Sequence, residues 1–151
     1  MSRKILFRGK LISDSDNHKK NQWVYGSYFK DRNNISYIYN KKENYFYIVD
    51  AETVSQYIGK KYNGDIARFV SMYEGDIVFD ADEYYGVLKY NENKHQYFIY
   101  YGRIPEATDN VNFIIVGNIW DNPELVEKSS WTKRNNKWHS LMKKWKNVFK
   151  Y

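Results

Sequence analysis

The chain has 151 residues with 24 Lys or Arg, 18 Asp or Glu and no cysteine, giving a formal net charge of +6. That length suits one domain with a real core. The missing cysteines exclude a disulfide framework, a thiolate metal site and a cysteine nucleophile. Aromatic residues make up 19% of the chain, including sixteen Tyr and five Trp. Such residues suit strands and interfaces because they carry large apolar area with a polar handle, so a β-rich protein with an adhesive surface is expected.

The opening stretch "MSRKILFRGKLI" has no apolar core of the length a signal peptide needs, and no run approaches the roughly 20 apolar residues that span a bilayer. A cytoplasmic protein without a membrane span is expected. "ILFRGKLI" (5–12) predicts a strand, ended by the polar stretch 13–21. "QWVYGSYFK" predicts a second. "ISYIYN" and "NYFYIV" read as two antiparallel strands joined through "KKEN".

"DAETVSQYIGKK" starts on Asp50, a good N-cap, with Glu52 in the first turn and Val54, Tyr57 and Ile58 at helical spacing; Gly59 is a natural stop. A short helix over 51–58 is predicted. "IARFVSM" (66–72) fits strand or helix equally. From residue 73 onward "DIVFDA", "YYGVLKYN", "QYFIYYG" and "NFIIVGNIW" are short strands punctuated by Asn, Gly and Asp, with "NENK" as a hairpin turn, and the regular spacing suggests a sandwich or small barrel.

The last 23 residues, "SSWTKRNNKWHSLMKKWKNVFKY", differ from the rest: they hold seven Lys or Arg and no acid, leaving 17 basic against 18 acidic side chains in the first 128. Trp138, Leu141, Met142, Trp145, Val148 and Phe149 fall on one helical stripe, with Lys137, Lys143, Lys144, Lys146 and Lys150 beside it. Asn135 or Asn136 serves as N-cap. An amphipathic helix this short needs a surface to pack on. That surface is its own domain, a second subunit, a membrane surface, a protein partner anchored by the tryptophans, or nucleic acid. In the last case Lys133, Arg134 and the other cations meet phosphates while Trp131, Trp138 or Trp145 stacks on unpaired bases.

Catalytic signatures are missing: there is no GxSxG, GxxxxGK or GxGxxG. The acids Glu74, Asp76, Asp80, Asp82 and Glu83 are dense enough to suggest a hard cation, yet match no calcium loop, and strand-end carboxylates are usually solvated. His18, His95 and His139 lack metal-site spacing and read as surface histidines.

Five stretches taken in order carry a resemblance: "FRGK" (7–10) with "WVYG" (23–26), "DAETVSQYIG" (50–59), "YEGDIV" (73–78), "GVLKY" (86–90) and "VGNIWDNPEL" (116–125). Together they resemble the YopX-like proteins of bacteriophages and prophages, over about residues 3–126. The resemblance implies an all-β domain of barrel-like strands, a bacterial host cytoplasm, self-association, and no catalytic residue or cofactor. The span from Gly59 to Tyr73 looks longer than the family's, and the tail after Leu125 lies outside its pattern. Physically, "YEGDIV" reads as a turn at Gly75 feeding a strand, and "GNIWDNPEL" as a strand ending in an Asx-type turn with Pro123 in a first helical turn.

The resulting expectation is a β-rich domain over 1–127 with one short internal helix, followed by a basic aromatic helix over 128–151. Its function is expected to be non-catalytic: a self-associating phage accessory domain that binds a host or phage macromolecule. Trp131, Lys133, Arg134, Lys137, Trp138, Leu141, Lys143, Lys144, Trp145, Lys146 and Phe149 are the candidate assembly or partner-binding residues. A nucleic-acid-binding module using the same tail is the alternative, and a metal-dependent enzyme ranks last.

Overall fold

The computed structural model describes residues 5–58, 71–80, 82–108 and 113–128. These residues are all-β apart from two short helical turns, and they group into two compact units, the first comprising 5–58 with 71–74 and the second beginning at Gly75. Among the described residues no helix is long and apolar enough to cross a membrane.

In the first unit, β1 (Phe7–Lys10), β2 (Trp23–Lys30), β3 (Ser36–Asn40), β4 (Tyr45–Ile48) and β5 (Ser55–Gln56) form an antiparallel sheet in the order β4-β3-β2-β1-β5. The connections are tight because polar side chains satisfy their backbone. Asp31 Oδ1 accepts from the N–H groups of Asn33 and Ile35, both at 2.9 Å, and Asn40 Oδ1 accepts from Lys42 and Glu43 at 2.9 and 3.1 Å. Asn34 and Asn44 take the positive φ each turn needs.

The sheet closes on itself just beyond β1. Leu11 bonds back to Gln22 on one side and pairs with Val49 on the other, while Asp50 N–H donates to Lys10 O at 2.8 Å. This closure gives the unit its barrel-like character, and it removes part of the exposed edge that β4 would otherwise present. Its inner face buries Leu11, Val24, Ile38, Tyr47 and Val49, flanked by Phe7, Tyr28 and Val54. Gly26 on β2 permits the tight pairing: a Cβ there would lie 1.9 Å from the carbonyl oxygen of Tyr39.

The segment predicted as a helix over 51–58 starts as expected and stops early. Asp50 caps it, accepting from Glu52 N–H at 3.0 Å, but it makes only one 3-10 turn, Ala51–Thr53. Ser55 and Gln56 then pair with Arg8 and Phe7 of β1. Two ladder positions, together with a 3.0 Å bond from Arg8 Nε to Ser55 Oγ, outweigh the few helical bonds that so short a helix would gain. Gly59, the predicted stop, and most of "IARFVSM" lie outside the described residues. The described end of that stretch runs extended, with Met72 O accepting from Ile58 N–H.

In the second unit β6 (Asp76–Asp80), β7 (Tyr85–Asn91), β8 (Gln96–Tyr101), β9 (Ile104–Ala107) and β10 (Phe113–Asn118) form an antiparallel sheet in the order β10-β6-β7-β8-β9. Its central strands bury adjacent residues, Ile77 with Val78, Val87 with Leu88 and Phe98 with Ile99, so both of their faces are covered. The short helix α1 (Pro123–Lys128) packs against β7. β9 escaped the sequence reading because Pro105 interrupts it. An edge strand tolerates proline, since one side of its backbone needs no ladder donor.

The two motifs read as structural turns take that form. Gly75 adopts φ +84° and leads into β6. Asn118 Oδ1 accepts from Trp120 and Asp121 N–H at 3.1 and 2.9 Å, and Pro123 opens α1. The "NENK" turn joins β7 to β8, with Lys94 N–H bonded to Asn91 Oδ1 at 3.0 Å.

Candidate functional site: an aromatic sheet face

The outer face of the first sheet carries what the inner face does not need. β2 sends Val24, Gly26 and Tyr28 inward, so Trp23, Tyr25, Ser27 and Phe29 alternate outward. Register sets Tyr37 of β3 opposite Phe29 and Tyr39 opposite Ser27. Beyond them Phe46 lies opposite Tyr39, and Ile48 opposite Tyr37. Phe46 is 55% exposed, Tyr25 43%, Phe29 40% and Ile48 38%.

These rings brace one another. Phe29 and Tyr37 stack 5.0 Å apart and 7° from parallel, Phe46 meets Phe29 edge-on at 5.7 Å, and Tyr39 lies 4.6 Å from Phe46. Mutual packing of this kind holds each ring in place before any partner arrives, which lowers the entropy lost on binding. The Tyr37 hydroxyl reaches Asp31 at 3.4 Å, and desolvation followed by the Asp31 charge and hydrogen bond pushes its pKa up. Tyr37 therefore stays neutral.

At the other end of the face a buried cation supports the rings. The Arg8 guanidinium lies 4.5 Å from the Trp23 ring centre and 4.7 Å from that of Tyr73, and Tyr73 in turn contacts Tyr25 and Tyr57. Lys10 Nζ sits 5.4 Å from the Trp23 ring centre. Cation over ring is favourable because the ring face is electron-rich. No strand position on this face of β1 to β4 is an Asp or Glu.

A second polar group sits by the β3–β4 turn. Glu43 accepts from His18 Nε2 at 3.1 Å and from the Tyr47 hydroxyl, while His18 meets the Tyr47 ring edge-on at 5.2 Å. Those two hydrogen bonds, Tyr47 first, hold the Glu43 carboxyl below its ordinary value. Burial, then Glu43, pushes Tyr47 up to about 12. The three fasten the 12–22 loop to the hairpin, so His18 has a structural partner that its loop position did not reveal.

The family model described as YopX protein matches residues 2–127. The chain belongs to the YopX family. No characterised protein matches it. The match in this YopX-family chain stops short of the basic tail, in keeping with the sequence reading.

Within the acidic stretch of this YopX-family chain, Asp80 serves a turn. Asp80 is buried and its Oδ1 accepts from Asp82 and Tyr84 N–H at 3.0 and 2.9 Å, closing the β6–β7 hairpin, while Glu83 takes a positive φ. Among the described residues no three of His, Asp and Glu converge where they could hold a metal ion. The tail residues Trp131, Lys133, Arg134, Lys137, Trp138, Leu141, Lys143, Lys144, Trp145, Lys146 and Phe149, and His139, lie outside the described residues. The aromatic face, by contrast, was not singled out from sequence. β2 and β4 carry rings on both faces, so no hydrophobic alternation marks one side as outer.

Proposed function

We propose that this chain is a non-catalytic accessory protein of a phage or prophage, acting in the bacterial cytoplasm, whose β-domain self-associates and binds a host or phage macromolecule. The observation that carries this reading is the aromatic face. Contiguous exposed rings at rigid strand positions are an interaction surface by composition and by preorganisation. The polar clusters add support, because Asp31, Asp80 and Asn118 all bond the backbone of their own turns.

The test is affinity capture of the tagged full chain from phage-infected host cells, with the captured material identified and its stoichiometry measured. One macromolecule retained at fixed stoichiometry is the expected result. A turnover activity abolished by substitution of a carboxylate such as Asp80 would overturn it.

A nucleic-acid-binding module is the second reading, favoured by the segregation of all net positive charge into residues 129–151. It requires that Lys143→Glu with Lys144→Glu greatly weaken binding to a single-stranded oligonucleotide and flatten its salt dependence.

A further inference from the structure

We draw no further inference here: the strongest candidate, the aromatic outer face of the first sheet around Phe29 and Phe46, is exposed, but nothing in the structure shows what covers it.

Discussion

Gly75 lies against the indole of Trp120: a Cβ at position 75 would stand 2.5 Å from two ring carbons, and the residue holds φ +84°. Backbone strain and overlap both oppose a side chain there. Gly75→Ala is expected to destabilise the protein by about 1–3 kcal/mol, read as a lower urea midpoint at unchanged slope. A midpoint equal to that of the natural sequence would mean that Trp120 swings aside freely.

Arg8 tests the support beneath the aromatic face. It is only 6% exposed, bonded to Ser55 and flanked by the Trp23 and Tyr73 rings. Lysine keeps the charge but loses the planar stack and the bond from Nε. Arg8→Lys is therefore expected to cost about 1–3 kcal/mol and to alter tryptophan fluorescence, because Trp23 loses its cover. Unfolding curves and emission spectra together check this.

Asp80 separates a turn role from a metal role. Asp80→Ala removes two backbone partners of the β6–β7 hairpin and is expected to cost about 1–3 kcal/mol. Asp80→Asn retains an acceptor oxygen and should cost less. Added magnesium should shift the melting temperature of neither variant differently from that of the natural sequence, and a shift confined to the natural sequence would count against the turn role.

The His18–Glu43–Tyr47 cluster gives a pH dependence of definite sign. Glu43 has a lowered carboxyl in the folded state, so its stabilisation is complete above the ordinary value of 4.5 and is lost as pH falls through the lower folded value. Tyr47 is raised, so its contribution is complete below 10.0 and is lost as pH rises toward about 12. Melting temperature against pH should fall at both ends for the natural sequence. In Glu43→Gln the acid-side fall should shrink; an unchanged acid limb would show that other carboxylates set it.

Much of the fold was legible because local chemistry agreed with the final structure. Asn91 and Asn118 announced turns, since short polar side chains bond nearby backbone wherever they fall. Asp50 announced a helical start. The helix end was misread because Val54, Tyr57 and Ile58 sit at helical spacing by coincidence, while the pairing of Ser55 and Gln56 with β1 is a contact across more than forty residues that no local pattern records. β9 was hidden by Pro105 for the same reason: only its place at a sheet edge makes proline acceptable. The aromatic face was hidden by its own composition, since Trp23, Tyr25 and Phe29 look like core until Val24, Gly26 and Tyr28 are known to point inward.

The closure of the first sheet also sets an order of events during synthesis. β1 emerges from the ribosome first, yet its second edge is filled only by Val49, Asp50, Ser55 and Gln56, and the Arg8 sandwich only by Tyr73. Until synthesis has passed Tyr73, β1 to β4 therefore carry that cation lacking one of its two rings. Contacts so distant in sequence are slow to form. Release of the N-terminal unit into its finished form must wait until the link toward the second unit has been made.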